Sequence, residues 1–262
     1  MEFNQVIGNR RTIRFFDPEK KVEPEKIQEI LEAANRASRS VQGDYCKAVV
    51  VYRDEIDPET LDALKTPTTT VQFDLAPVAI FWYGTGDYAE TGQERLKELV
   101  DIGALPPTHG WSHNYVDNVA YAQVVKTIAA DHDSNLWMIS LEAGLQISNA
   151  VNAAVNLGLG TGLSAFNVEV AKELLGIPDD LIPMWVQFVG YPAEDALTRG
   201  QRPRRPLEDN YFRGRYGVPI TVDPVVTEKL KADGMIQDQA KPFDPERTAE
   251  VRELAERFGL PL

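Results

Sequence analysis

The sequence of 262 residues has one cysteine, Cys46, relatively few basic residues and no long, clean apolar run. A single cysteine excludes an intrachain disulfide and a cysteine-rich metal site. Lys and Arg total 27 against 40 Asp and Glu, and the formal charge of −13 makes the chain a poor binder of nucleic acid or of an anionic membrane. Residues 1–16 lack the apolar run of a signal peptide, so we expect a cytoplasmic protein without a membrane span.

Familiar catalytic and nucleotide-binding motifs are also missing. Gly158, Gly160 and Gly162 do not make a dinucleotide fingerprint, because its third glycine would fall at Leu163 and a helix pattern precedes them. The chain has no G-x-x-x-x-G-K-[ST] loop, no G-x-S-x-G elbow and no marked pair of catalytic carboxylates. Cys46 has no histidine near it in sequence, which disfavours a nucleophilic role.

The most pronounced pattern that is present runs from Ser134 to Phe166. Polar residues recur there every three or four positions and so share one stripe of an α-helix; they are Glu142, Gln146, Asn149, Asn152 and Asn156. The rest of the circumference is apolar, which predicts the spine of the core, a subunit interface, or both. The stripe could pair across a dimer or face solvent and neighbouring loops. We expect Ser134 to cap the helix, Gly158 or Gly160 to end it and a glycine-spaced turn to follow.

The other patterns predict several helices and few strands. Strands are expected at 48–52, 76–83 and 183–190. Helices are expected at 24–38, 57–65, 168–175, 225–231 and from 244 onward. This mixture indicates an α+β fold in which helices cover a small sheet. We interpret residues 1–262 as one domain with a C-terminal extension at about 208–262.

Residues 87–133 are interpreted as a lid or insertion, because an irregular stretch rich in proline, glycine and aromatics interrupts helical pieces there. His109 and His113 have the spacing of two metal ligands on a helix, but Gly110 disfavours a helix and no metal is expected. The candidates for a lid that faces the substrate are His109, Trp111, His113 and Tyr115. Packing of Trp111 into the core is an equal alternative.

Two arginine clusters stand out in this acidic chain. Arg10, Arg11 and Arg14 flank Thr12 near the start, and a second cluster lies at 199–205. The first cluster is either a solvated turn or an anion site, in which arginine forks and a threonine hydroxyl hold phosphate oxygens. If both clusters meet at one phosphate, and a turn of small residues lets the backbone approach a flat ring, the ligand is a mononucleotide-like cofactor, with a flavin as one candidate.

Taken in chain order, the pieces resemble the nitroreductase family of FMN-dependent oxidoreductases. The matching segments are 10–16 (RRTIRFF), 33–40 (AANRASRS), 76–77 (AP), 158–166 (GLGTGLSAF), 174–178 (LLGIP), 189–192 (VGYP) and 202–207 (RPRRPL). Each segment is weak alone, and their common order makes the resemblance specific. The resemblance does not cover residues 87–133 or the chain after Tyr211.

The resemblance implies a small mixed or antiparallel sheet wrapped by helices, in an intertwined homodimer with two shared FMN sites. It assigns the FMN phosphate and ribityl chain to Arg10, Arg11, Thr12, Arg14, Arg202 and Arg204; backbone contacts near flavin N5 to Ser164 and Ala165; and contacts from the partner subunit to Ser38, Arg39, Ser40 and Gln42. Residues 42–46 (QGDYC) depart from the family's usual N-x-Q-P-W. Gln42 still offers an amide, whereas Asp44 adds negative charge near the ring.

The activity implied by the resemblance is ping-pong hydride transfer. NAD(P)H would reduce FMN, and a flat electron-poor acceptor such as a nitroaromatic or a quinone would then be reduced, with the chemistry carried by flavin N5 and by no catalytic side chain. Two alternatives stay open. One is a specialised flavoenzyme of the same superfamily, such as a reductive dehalogenase or a flavin-fragmenting enzyme, because of the QGDYC stretch and the long 87–133 segment. The other is a protein that stores or senses FMN without turnover.

Overall fold

Runs of β-branched and aromatic residues form the sheet in the computed structural model, which describes residues 1–260. The strands are β1 (Cys46–Tyr52), β2 (Val78–Gly84), β3 (Gly160–Ser164) and β4 (Ile182–Gly190), paired antiparallel in the order β1-β2-β4-β3. Every residue of β2 is buried, as its uninterrupted apolar sequence requires in the middle of a covered sheet. The expected α+β architecture with a small sheet is confirmed.

Helices surround this sheet, and several begin with a proline in the first turn and an aspartate just before it. They are α1 (Phe3–Asn9), α2 (Pro24–Asn35), α3 (Pro58–Ala63), α4 (Thr70–Leu75), α5 (Tyr88–Asp101), α6 (His113–Tyr115), α7 (Lys126–Ala130), α8 (His132–Asn156), α9 (Val168–Leu174), α10 (Leu207–Asn210), α11 (Pro224–Ala232) and α12 (Pro245–Phe258). No helix among residues 1–260 is long and apolar enough to cross a membrane.

The long predicted helix is α8, and its two ends differ in how well they were predicted. Ser134 is not its cap: the Asp131 carboxylate accepts a hydrogen bond from the Ser134 N–H at 2.9 Å, so the helix begins three residues earlier. Its end is as predicted. Gly158 has a φ of +77°, and the Leu159 N–H donates to the Ala154 carbonyl at 3.0 Å, which is the geometry of a glycine-terminated helix.

The first part of the polar stripe of α8 faces inward, whereas Asn156 at its end is exposed, and several large apolar residues of the helix point outward. Glu142 and Gln146 are buried, and the Asn149 side chain donates to the Ala33 carbonyl of α2 at 3.2 Å. Trp137, by contrast, is 62% exposed, and Leu141 and Leu145 are also exposed. Within one chain the stripe therefore contacts α2 and the loop that follows it, while an apolar surface is left on the outside.

The glycine-spaced segment after α8 is strand β3, so the prediction of a turn is wrong. The Ile13 N–H donates to the Thr161 carbonyl at 3.0 Å, which lays residues 12–13 alongside the strand. A Cβ at Gly160 would lie 3.0 Å from Ile13 Cγ1, and one at Gly162 would lie 3.1 Å from the Ile13 carbonyl oxygen. These glycines serve the close approach of another segment rather than a reversal of the chain.

The segment expected to be a lid is a helical layer. It contains α5, a 3₁₀ turn (Pro107–His109), α6, a π-helix (Val116–Val125) and α7. It has an apolar cluster of its own, formed with Tyr45 and Ile139. At the other end of the chain, α12 packs Leu254 onto the main core. The boundaries at 87–133 and 208–262 stay predictions.

Candidate functional site

A cavity of about 380 Å³ joins the two arginine clusters. Its lining residues are Ile7, Arg10, Arg11, Thr12, Arg14, Thr198, Gln201, Arg202, Arg204, Met235 and Ile236. None of them is acidic, although the chain as a whole carries a charge of −13. Residues nearly 200 positions apart in sequence therefore meet at one cationic site, which we call the arginine cavity.

The electrostatics of the arginine cavity favour an anion. Burial, together with the charge of Arg204, lowers the pKa of Arg10. Burial, followed by the charges of Arg10 and Arg202, lowers the pKa of Arg11. Because an arginine does not give up its proton in a protein, a bound anion is the direct way to relieve this repulsion. The donor set, planar guanidinium forks with a threonine hydroxyl, matches a phosphate group.

Arg11 differs from the other arginines because its side chain is already engaged. It is buried, and its guanidinium donates to the carbonyls of Leu197 at 2.7 Å, Gly200 at 2.9 Å and Gly8 at 2.6 Å. It also donates to Gln237 Oε1 at 2.8 Å. Its side chain therefore holds the walls of the cavity together, and its predicted contact with a ligand stays a prediction.

Strand β3 leads away from the arginine cavity toward Ser164 and Ala165. Thr12 is paired with Thr161, and Ser164 lies three residues further along the strand, about 10 Å at the rise of an extended chain. Ser164 is half-buried and Ala165 is exposed. The end of β3 is thus within reach of a ligand whose phosphate lies among the arginines and whose long axis follows the strand.

The serine loop, residues 38–43, lies apart from the arginine cavity. Ser40 donates its hydroxyl hydrogen to Glu142 on α8, and Tyr45 donates to the Ser40 carbonyl at 3.1 Å. Among residues 1–260, none of Ser38, Arg39, Ser40 and Gln42 lines the arginine cavity. One chain therefore does not bring together the two groups of residues that the resemblance assigned to one ligand.

The serine loop is strained and held in place. Val41 and Gln42 have φ values of 49° and 55°, a region that non-glycine residues rarely occupy and that costs on the order of 1–3 kcal/mol for each residue. Arg39 binds Asp44 at 2.9 Å. This ion pair offsets the negative charge that the QGDYC departure introduces. Strain of this kind clusters at ligand sites, where the surrounding structure maintains it.

The four predicted lid residues lie together on the helical layer. Trp111 is half-buried, and its ring meets that of Tyr115 edge-on at 5.2 Å between centroids. His113 Nε2 lies 2.7 Å from Asp101 Oδ1, and His109 is exposed. Trp111 packs against the apolar cluster beneath the layer, as the alternative of core packing expected, and its role as a lid that faces the substrate stays a prediction. The described part of the chain contains no group of His, Cys, Asp and Glu that could hold a metal ion.

Sequence reasoning missed two groups of residues at the arginine cavity. Glu194 accepts hydrogen bonds from the N–H groups of Arg14, at 2.5 Å, and Phe15, at 3.0 Å. Met235 and Ile236, from the C-terminal extension, line the cavity. Their contacts span more than 150 positions, and no periodicity or motif in the sequence links such distant residues.

Comparison with known proteins gives a consistent result. The family model described as the nitroreductase family matches residues 7–191. YdgI of Bacillus subtilis strain 168, named as a candidate NAD(P)H nitroreductase, is 29% identical over 205 residues, which cover 77% of this chain and 94% of the relative.

Solved structures share the fold at low identity. A nitroreductase family protein of Streptococcus pneumoniae TIGR4 has a TM-score of 0.60 at 21% identity, covering 81% of this chain and 100% of the other. A protein of Exiguobacterium sibiricum 255-15 solved in complex with FMN has a TM-score of 0.63 at 19% identity, covering 80% and 95%. The relatives thus account for about four-fifths of this chain.

The chain folds as a small antiparallel sheet wrapped by helices, which is the fold of these solved structures, with a cationic cavity beside its edge strand. Because the family model spans well over half of the sequence, the chain belongs to the nitroreductase family. Family membership confirms the resemblance and the enzyme class that it implies, an FMN-dependent oxidoreductase that takes electrons from NAD(P)H.

Proposed function

We propose that this protein uses NAD(P)H to reduce nitroaromatics, quinones or related flat, electron-poor acceptors by ping-pong hydride transfer. The observation that carries the proposal is the arginine cavity beside β3, which no acidic residue lines. It occurs in a chain that belongs to the nitroreductase family. FMN supplies the hydride chemistry when it is bound, and the protein supplies binding, orientation and electrostatics.

In this proposal the arginine cavity holds the phosphate end of FMN. Arg10, Arg14, Arg202 and Arg204 donate to the phosphate and the ribityl chain, and Thr12 adds its hydroxyl. A hydrogen bond to a charged group contributes about 1.5–3 kcal/mol, so a small number of these contacts accounts for firm binding. The end of β3 then meets the ring, where Ser164 and Ala165 present backbone groups near flavin N5.

The other half of the site comes, in this proposal, from a second copy of the chain. Ser38, Arg39, Ser40 and Gln42 of one subunit reach the flavin held by its partner. Two observations support this. The serine loop does not reach the arginine cavity of its own chain, and α8 exposes an apolar face beside that loop. Exposed apolar patches of this kind mark protein–protein contacts, and a symmetric dimer covers the same face on both subunits.

We place the acceptor under the helical layer. His109, Trp111, His113 and Tyr115 form its exposed aromatic edge, which suits selection of flat ring systems by stacking. No side-chain acid is assigned, since solvent can deliver the protons. We propose the cytoplasm as the location, because NAD(P)H is available there as the electron donor. Cell fractionation tests that assignment.

The decisive experiment is an anaerobic titration of the FMN-loaded protein with NADH and with NADPH. We expect the yellow oxidised flavin to bleach with at least one donor and to reoxidise when a nitroaromatic or a quinone is added. A flavin that neither donor bleaches would contradict the reductase and support FMN storage. Enone and halogenated acceptors belong in the same screen, because reoxidation by these alone would favour the specialised flavoenzyme.

A further inference from the structure

The C-terminal extension lies outside the segment matched by the family model, yet it forms part of the arginine cavity. The family model ends at residue 191, whereas Met235 and Ile236 line the cavity. The Gln201 side chain donates to the Met235 carbonyl at 2.8 Å, and the Gln237 N–H donates to Gln201 Oε1 at 3.0 Å. Met235 and Ile236 therefore form one wall, which Gln201 and Gln237 hold in place.

A buried ion pair connects the extension to the backbone of Arg14. The Glu194 side chain is fully buried, and its Oε1 accepts from the N–H groups of Arg14 and Phe15. Its other carboxylate oxygen is bound by Arg247, which lies on α12. Arg247 also binds Glu250, one turn further along the same helix, at 3.0 Å. One carboxylate thus joins the N-terminal arginine segment to the C-terminal helix.

The same helix holds the loop that leads to the second arginine cluster. The Asp195 N–H donates to Glu250 Oε1 at 2.6 Å, and Arg199 binds Glu246 at 2.8 Å. This loop has Thr198 and Arg199 at φ values of 45° and 60°, which places two non-glycine residues in the left-handed region. Contacts from α12 hold this conformation immediately before Arg202 and Arg204.

We propose that Glu194 and Arg247 are positioning residues for the phosphate end of the cofactor. Arg247 compensates the buried charge of Glu194, and Glu194 in turn fixes the backbone from which the Arg14 side chain enters the arginine cavity. The C-terminal extension thus contributes to the cofactor site of its own chain. This inference rests on the proposed function.

The test compares two flavins that differ by one phosphate. Arg247→Met in the full chain keeps a long apolar side chain and removes the charge. We expect its Kd for FMN, measured by quenching of flavin fluorescence, to rise about tenfold or more, as for one lost charge-assisted hydrogen bond. The Kd for riboflavin should stay within about twofold, because riboflavin has no phosphate.

Matched variants separate positioning from general destabilisation. Arg252→Met changes an exposed arginine on the same helix and should leave both Kd values unchanged. Arg247→Lys, which keeps the positive charge, should recover most of the FMN affinity. Glu194→Gln, which keeps one acceptor oxygen, serves as the second test if Arg247→Met does not fold, and should show the same selective loss.

The outcomes distinguish failure of the inference from failure of the proposed function. Equal losses for FMN and riboflavin, or no loss for either, would overturn the positioning role while the wild-type protein still binds FMN. A wild-type protein that binds neither flavin would overturn the proposed function and, with it, this inference.

Discussion

The arginine cavity and the serine loop are two halves of one proposed site, and they are built in opposite ways. The arginine cavity is complete within one chain, with walls from α1, the 198–204 loop and the C-terminal extension. The serine loop is held within its own chain by hydrogen bonds that join Ser40 to Tyr45 and Glu142 and by the ion pair of Arg39 with Asp44, and it lies beside an exposed apolar face of α8. The arginine cavity is thus lined on all sides by residues of one chain, whereas the serine loop presents its groups outward.

This difference shows how the phosphate and the ring of one ligand can be recognised by separate means. In the proposed site the arginines bind the phosphate through charge, which a single chain supplies. The serine loop presents strained backbone at Val41 and Gln42, and in the proposed site it contacts the ring only when a second copy is present. Changes in the two halves should therefore have separable consequences for binding and for assembly.

The largest expected effect is on cofactor binding by the arginine cavity. We expect Arg14→Ala combined with Arg204→Ala to raise the Kd for FMN by about 100-fold or more, because at least two charge-assisted contacts are lost. The measurement is equilibrium titration with FMN. Arg213→Ala combined with Arg215→Ala, which removes two exposed arginines outside the cavity lining, is the control. A double variant in the cavity that stays fully loaded would show that the phosphate lies elsewhere.

The second prediction concerns assembly. Leu141→Glu combined with Leu145→Glu places two charges on the exposed face of α8 and should convert a dimer to a monomer, with at least tenfold weaker FMN binding. Sedimentation velocity measures the change. Leu174→Glu, at a similarly exposed leucine on α9, should leave the sedimentation coefficient as it is. If the wild-type protein is already a monomer that binds FMN, the division of the site between two chains is wrong.

The third prediction tests the wall of the arginine cavity where α1 meets the C-terminal extension of the same chain. A Cβ at Gly8 would lie 1.8 Å from the Gly234 carbonyl oxygen, so Gly8→Ala forces α1 and the extension apart. We expect it to lower the free energy of unfolding by about 1–3 kcal/mol, the usual cost of overpacking. Urea unfolding measures this. Gly86→Ala, where a Cβ meets nothing within 4 Å, should change it far less; equal effects would argue against the close contact.

The smallest effect is expected at Cys46. Burial raises the pKa of its thiol well above the ordinary value of 9.0, so the thiolate fraction near neutral pH is strongly reduced. The folded protein should therefore react very slowly with a thiol reagent at pH 8 and quickly once unfolded. Cys46→Ala should leave NAD(P)H oxidation within about twofold; a large loss of oxidation would bring Cys46 into the chemistry.

The elements predicted from local patterns and those that were missed have different physical origins. The structure of the apolar run at 76–83 and of the helix end at Gly158 is set by residues close by in the sequence. Both were therefore predicted close to their observed places. Strand β3 was missed because its glycines are needed for close packing against Ile13, which is nearly 150 positions away in the sequence.

The candidate site shows the same limit. The arginines are visible in the sequence as clusters, and the phosphate interpretation follows from their chemistry. Glu194, Arg247 and Met235 carry no local signal, because each acts through a contact that only the folded chain creates. The polar stripe of α8 was visible as a pattern, but its inward direction depends on α2 and the serine loop.

Subunit complementation tests the division of the site most directly. Arg14→Ala with Arg204→Ala weakens the arginine cavity of its own chain, and Ser38→Trp blocks the serine loop that should meet the flavin ring. At an FMN concentration a few times the wild-type Kd, each variant alone should therefore stay almost empty. If the halves come from different chains, a mixed dimer has one site with both defects and one with neither, so equal amounts reassembled together should recover about a quarter of the wild-type sites. No recovered FMN in verified mixed dimers would contradict the shared site and place both halves on one chain.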